Sequence, residues 1–455
     1  MLEDTIIAIS TPAGYGGLGI VRLSGERALG IARKIFKPKK NRGRIPPRSL
    51  VLGEVYDREK DESIDEAYLV FFPKPRSYTC ENAVEITCHG SPVILEEVVR
   101  LGIRAGARPA HPGEFTLRAY LRGRIDILQA EAVNDLITAA SLEQAKISFG
   151  QLKGKLSRKI GELRRKIINV LSQVEAAIEF PEDGLPIGPE HIGQSLKEVI
   201  AAIGRLIESY EAGRTMTEGL SLAIVGKANV GKSTLFNALL DEERAIVSPY
   251  PGTTRDYLRE RMTIKGSVFQ LVDMAGLDKP SHPIEEEGIR RGLDLASRAD
   301  GILLVLDSSR PETQADLRLI RNYRHKKTIF LFNKCDLTGK IDKEKCKALD
   351  RKKPWLDISA LNGTNLGKLK EAIHRVFVPK AAAGEEVIFH QRQKFLLEKA
   401  LIPLEQALKL MDQGYTEEMV AEEIRQALPA ISSLTGEIRP DDVINSIFSR
   451  FCVGK

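Results

Sequence analysis

The sequence has no run of about 18 apolar residues, the length a helix needs to cross a bilayer, which excludes a helical membrane protein. Cysteine is scarce. There are five, at 80, 88, 335, 346 and 452, an odd number scattered over 455 residues, so free thiols in a reducing cytoplasm are expected rather than a disulfide framework. An excess of one charge sign is also missing: 68 Lys and Arg against 62 Asp and Glu give +6, too little for a chain held on nucleic acid by bulk charge. The N-terminus MLEDTIIAIS starts acidic and has neither a basic segment followed by an apolar one nor an Arg-rich transit composition, so no secretory or organelle signal is expected. No internal repeat or low-complexity tract is evident. What remains is ordinary globular composition, 42% hydrophobic and 29% charged, long enough for about three domains of roughly 150 residues each.

The pattern changes twice along the chain. Residues 1–119 alternate short β-rich runs (TIIAIS, GIVRLS, EAYLVFF, NAVEITCHG) with loops, predicting an α+β domain. TPAGYGGLG at 11–19 holds four glycines and reads as a loop, and KPKKNRGRIPPR at 37–48 as a solvated one. From 120 to 214 the apolar spacing becomes three and four, predicting long helices broken by FPEDGLPIGPE at 180–190 and ending near Gly213. Within them, KGKLSRKIGELRRK at 153–166 carries seven basic residues and one acidic, a stripe that fits either phosphate contacts or a solvated face. Residues 215–376 alternate strand runs (SLAIVG, FQLVDMAG, GILLVLD, TIFLFNKCD, PWLDISA) with helical segments, predicting a parallel sheet covered by helices. Residues 377–455 are helical again. The economical reading is an α/β domain inserted into a helical domain.

That α/β segment carries the chemistry. Gly226-Lys227-Ala228-Asn229-Val230-Gly231-Lys232-Ser233-Thr234 fits G-x-x-x-x-G-K-[ST] between a strand and a helix. Its backbone N–H groups would wrap phosphate oxygens at the helix N-terminus, with Lys232 toward the β- and γ-phosphates and Ser233 on Mg²⁺. Asp273-Met274-Ala275-Gly276 fits D-x-x-G, a carboxylate near Mg²⁺ and a backbone N–H near the γ-phosphate. Asn333-Lys334-Cys335-Asp336 fits N-K-x-D, whose carboxylate meets two guanine donors where adenine presents an acceptor. Ser359-Ala360 ends the next strand. Together these point to a guanine nucleotide. Between the first two motifs, Ser248-Pro249-Tyr250-Pro251-Gly252-Thr253-Thr254 offers two candidates, Thr253 and Thr254, for a switch threonine. Leu277 stands where Ras-like enzymes carry a water-orienting Gln and cannot orient water. Glu285, Glu286 and Glu287 supply carboxylates downstream, for catalysis or for capping a helix.

These motifs resemble the TrmE–Era–Obg class of GTPases. Phe451-Cys452-Val453-Gly454-Lys455, T-P-x-G-x-G-G from Thr11, C-H-G at 88–90 and R-P-A-H-P-G-E-F-T at 108–116 make the whole chain resemble the MnmE (TrmE) family of tRNA uridine modification GTPases. The resemblance implies a homodimer whose N-terminal domain binds 5,10-methylene- or 5-formyl-tetrahydrofolate through Arg22, Glu81, Arg124 and Lys455. It implies K⁺ held by Asn229, Ser248, Tyr250 and Thr253 in place of an arginine finger, Mg²⁺ on Ser233 and Thr254, and Glu285 orienting the attacking water. Cys452 becomes a reactive candidate in the modification. The implied reaction adds a carboxymethylaminomethyl or aminomethyl group to C5 of the wobble uridine of certain tRNAs. It proceeds with a flavin-dependent MnmG-type partner that carries FAD and NADH. Two other readings are weaker. An Era- or Der-like RNA-binding GTPase calls for a KH-type domain with a G-x-x-G loop, which the C-terminus lacks. A stand-alone folate aminomethyltransferase would yield product without the flavoprotein.

If Asp336 reads guanine, Asp336→Asn loses a charged bidentate contact, and GTP affinity measured by calorimetry falls about a hundredfold. Equal affinities for the two proteins would overturn that assignment.

Overall fold

The computed structural model describes residues 4–39, 45–179, 189–241, 259–265, 267–273, 299–378, 386–436, 447–449 and 451–454. The chain forms two compact units, one of residues 1–134, 151–169 and 425–455, the other of 135–150 and 170–424.

The first unit is built on a seven-stranded sheet: β1 (Ile6–Ile9), β2 (Gly16–Ser24), β3 (Phe36–Pro38), β4 (Val51–Asp57), β5 (Glu62–Phe72), β6 (Ala83–Gly90) and β7 (Arg108–Pro109). Their order is β3-β4-β5-β6-β2-β1-β7, antiparallel except for β1 with β7. Alternate residues of the central strands, Val21, Leu23, Leu69, Val84 and Ile86, pack under helices Ala28–Ile35 and Pro92–Arg104. The glycine-rich stretch differs from its expected loop: from Gly16 it is β2, with a register shift against β6 between Gly16 and Gly19. A Cβ at Gly19 would stand 2.7 Å from the Leu95 side chain, so glycine there admits the helix.

Residues 447–454 belong to this unit. Phe448 and Phe451 are buried with Tyr120, Ile127, Ala130 and Val133, the Phe448 ring centroid 6.3 Å from that of Tyr120. The Gly113 N–H donates to the Cys452 carbonyl at 3.3 Å, and the Ser10 hydroxyl to the Gly454 carbonyl at 3.2 Å. The basic segment 153–166 opens helix Lys155–Glu179, whose Leu156, Ile160, Leu163 and Ile167 are buried at helical spacing. Lys155, Arg158, Arg165 and Lys166 are exposed on the other side.

The second unit holds a six-stranded sheet: β8 (Leu220–Val225), β9 (Arg259–Ile264), β10 (Ser267–Asp273), β11 (Gly301–Asp307), β12 (Thr328–Asn333) and β13 (Trp355–Asp357), in the order β13-β12-β11-β8-β10-β9. Both faces are covered. Leu222, Ile224, Leu303 and Val305 pack with helices Lys232–Asp241 and Leu366–Phe377; Ala223, Val225, Ile302, Leu304 and Phe330 pack with helix Gln314–Tyr323. Burial on both faces is why these strands read as unbroken apolar runs. β9 has no such run and is an antiparallel edge, with Met262 and Ile264 buried and Glu260 and Arg261 exposed.

Helix Pro189–Thr217 does not end at Gly213 but runs on to Thr217. Gly213 serves packing instead, since a Cβ there would collide with the carbonyl oxygen of Ile388. The Ile388 N–H in turn donates to Ser209 Oγ at 3.1 Å, so the 386–390 backbone lies directly on the helix. Gly213→Ala, ordinarily favourable in a helix, should therefore destabilise this unit by about 1–3 kcal/mol. A raised or unchanged urea midpoint in the unfolding of that variant would refute the close approach.

Candidate functional site

In the second unit the site lies where the strands end. β8 leads into the 226–231 loop, and helix Lys232–Asp241 begins at its close. Asn229 (φ 62°) and Gly231 (φ 99°) take left-handed backbone conformations. A Cβ at Gly231 would collide with the side-chain nitrogen of Asn333, so only glycine fits. Lys232 is buried and its Nζ donates to the carbonyls of Gly226 (3.1 Å) and Lys227 (2.9 Å). Ser233 and Thr234 are exposed in the first helical turn, among N–H groups that have no intrahelical acceptor.

Asn333 joins this loop to the next one. Its Nδ2 donates to the Val230 carbonyl at 2.8 Å and its Oδ1 accepts from the Ala360 N–H at 3.0 Å, all buried. Three sequence motifs thus meet at one side chain. Lys334 Nζ donates to the Asn229 carbonyl at 2.8 Å and to Asp307 Oδ2 at 2.6 Å. Asp307 Oδ1 accepts from the N–H (2.9 Å) and hydroxyl (2.6 Å) of Ser309. Burial works against ionisation of Asp307, but the bonds from Lys334 and Ser309 win and hold its carboxyl below the usual range. Lys227 Nζ donates to Thr313 Oγ1 at 2.8 Å, tying the loop to the capping box of helix Gln314–Tyr323. Asp336 is exposed beside this loop system, Ser359 is buried, and the Asp273 backbone pairs with Ile224 at the end of β8. Asp307, Lys227 and Ser309 carry no motif signal of their own. Ser248, Pro249, Tyr250, Pro251, Gly252, Thr253, Thr254, Met274, Ala275, Gly276, Leu277 and Glu285 lie outside the described residues, as does Lys455.

The first unit has an open cavity of about 520 Å³ whose lining includes Arg22, Arg76, Tyr78, Cys80, Glu85 and Arg124. Arg22 pairs with Glu85 at 2.7 Å, and its guanidinium sits 5.7 Å from the Tyr78 ring centre. The Arg124 guanidinium lies 4.8 Å from that ring and donates to the Tyr78 carbonyl at 2.6 Å. Burial pushes the Tyr78 phenol up, so it stays a neutral aromatic surface between two cations.

Glu81 follows Thr79 and Cys80 of this lining. It is 3% exposed and absent from that lining; Arg118 (3.1 Å), Arg122 (2.9 Å) and the Ser24 hydroxyl (2.9 Å) take up its oxygens. Arg118 is itself fully buried and also meets Asp4 (2.6 Å) and Glu114 (2.9 Å). The carboxylate on the cavity wall is Glu85, directly across from Arg22 in the β2–β6 register. Cys452 is half-buried in the tail and is likewise absent from the lining. Glu81→Ala should cost about 3 kcal/mol by stripping a buried ion pair, whereas Glu85→Ala, in a partly exposed pair, should cost under about 1 kcal/mol. Far-UV circular dichroism melts compare the two, and equal losses would show that Glu81 is not the structural carboxylate.

The family model described as the MnmE helical domain matches residues 127–452, and that described as the GTP-binding protein TrmE N-terminus matches 5–124. The tRNA modification GTPase MnmE of Syntrophotalea carbinolica is 42% identical over 100% of this chain and 99% of its own length. That of Thermoanaerobacter sp. is 40% identical over 100% of both. Among solved structures, an Aquifex aeolicus Era variant bound to GDP.AlF4- is 26% identical and covers 40% of this chain and 67% of its own. Its TM-score is 0.29, so assignment rests on the full-length relatives. With both family models matched and relatives at this identity aligned from end to end, the chain belongs to the MnmE family of tRNA modification GTPases.

Proposed function

We propose that this chain is a GTP hydrolase of tRNA modification that binds guanine nucleotide at the strand ends of its six-stranded sheet. The observation that carries this reading is the Asn333 amide, which draws the 226–231 loop and the Ser359-Ala360 loop together. The loop fits a nucleotide: a cradle that a Cβ at Gly231 would fill, a buried lysine at its mouth and the N-terminus of a helix suit phosphate oxygens. Asp336 would read guanine. Ser233 and Thr254 would hold Mg²⁺, which supplies charge neutralisation on the phosphates. Asn229, with Ser248, Tyr250 and Thr253, would hold K⁺, compensating charge where no arginine finger is identifiable.

The cavity of the first unit would take the tetrahydrofolate derivative, with Tyr78 facing a planar ring and Arg22 and Arg124 offering cations to its carboxylates. Glu81 and Lys455 complete this assignment, and Glu85 adds a carboxylate on the cavity wall. The domains would run 1–119, 120–214, 215–376 and 377–455, with Cys452 acting in the modification. The exposed basic side of the 155–166 helix suits tRNA phosphates. Acting in the cytoplasm as a homodimer with an MnmG-type flavoprotein that carries FAD and NADH, the protein would modify C5 of the wobble uridine.

Leu277 leaves water orientation to another group, and Glu285 takes that role in this reading. GTP turnover should rise at least about tenfold from NaCl to KCl at equal ionic strength. Glu285→Ala should abolish turnover while leaving GTP affinity near wild type, because it acts on the transition state. Equal rates in the two salts would remove the potassium role, and an active Glu285→Ala would remove the carboxylate's.

A further inference from the structure

Asp307 belongs to none of the nucleotide motifs, yet it ends β11 in register with Asn333, the last residue of β12. Parallel pairing puts the Asp307 carboxylate and the Lys334 ammonium side by side at the rim where the loops begin. One carboxylate oxygen is fixed by two bonds from Ser309, and the other takes Lys334 Nζ at 2.6 Å. The same ammonium donates to the carbonyl of Asn229, whose left-handed φ of 62° is uncommon among non-glycine residues and most accessible to asparagine. The order of the contacts is therefore Ser309, Asp307, Lys334, Asn229. Lys334 and Asp307 are 28% and 9% exposed at their side chains, so water screens their pairing only in part.

We propose that Asp307 is a positioning residue of the guanine-nucleotide site. It holds Lys334 against the phosphate loop and thereby fixes the backbone at Asn229 before nucleotide arrives. Without the carboxylate, Lys334 is a long flexible cation with an exposed route to water. The loop then samples conformations that do not bind, and affinity falls by the fraction of time spent in them. Because the loop is shaped before any bond breaks, GDP and non-hydrolysable GTP analogues should lose the same factor. This inference rests on the nucleotide-site reading above.

The test measures N-methylanthraniloyl-GDP and N-methylanthraniloyl-guanylyl imidodiphosphate affinities of the full chain and its Asp307→Asn and Asp307→Glu variants. The lone tryptophan, Trp355, stacks on Phe330 and Phe332 in this same unit, so its fluorescence reports whether the unit stays folded. Asp307→Asn should weaken both nucleotides about tenfold, equivalent to about 1.4 kcal/mol, with the Trp355 melt unchanged. Asp307→Glu, which keeps the charge, should recover most of that loss. If Asp307→Asn does not fold, Ser309→Ala, which removes the hydroxyl's bond to Oδ1 and leaves the backbone N–H, should show a smaller loss of the same kind. An Asp307→Asn affinity within twofold of wild type in the folded protein would overturn the proposal, as would a loss confined to one nucleotide. Failure of the unaltered protein to bind either nucleotide would instead overturn the nucleotide-site reading itself.

Discussion

A loop that presents its N–H groups to a ligand must leave them unpaired, so its remaining backbone groups have to be anchored from outside. Asn333 does this in the second unit. A primary amide offers a donor and an acceptor at a fixed separation, and both are used, one on the Val230 carbonyl and one on the Ala360 N–H. An aspartate would offer only acceptors and leave the buried Val230 carbonyl facing a negative charge. The positive φ of Gly231, the burial of Lys232 and the approach of the Ser359 loop all presuppose this bridge. Parallel strands make it possible, because they deliver Val225, Asp307 and Asn333 to one edge of the sheet.

The first unit solves a different problem, a fully buried guanidinium. Arg118 is surrounded by Asp4, Glu81 and Glu114 from three separate stretches of chain. Such a cluster is weak evidence of net stability, since desolvation offsets most of its Coulomb gain, but losing a single partner is costly. It also sets the direction of the 79–81 turn, and with it the wall that carries Cys80 and Tyr78.

These two solutions differ in how far the residues announce them. The strands of the second unit were readable because burial on both faces leaves β11 (GILLVLD) and β12 (TIFLFN) almost wholly apolar. β9 was not, because an edge strand with one solvated face has too short an alternation to stand out. Gly213 misled because a glycine that admits a neighbouring backbone looks the same in sequence as one that ends a helix. Glu81 and Glu85 lie four residues apart, and only strand register tells which of them lines the cavity. β6 puts Glu85 opposite Arg22, while Glu81 precedes the strand and turns inward. Asp307 and Ser309 were silent because their role comes from the pairing of two strands distant in sequence.

The apolar seat formed by Tyr120, Ile127, Ala130 and Val133 is closed by Phe448 and Phe451. The Tyr120 hydroxyl bonds a carbonyl 316 residues later, at Gly436. At a synthesis rate of about 5–20 residues per second, the ribosome takes about 15 to 60 s to make that intervening chain. Throughout that interval the helical segment 114–137 keeps this apolar seat uncovered. The first part of the protein to be translated is therefore among the last to complete its native packing.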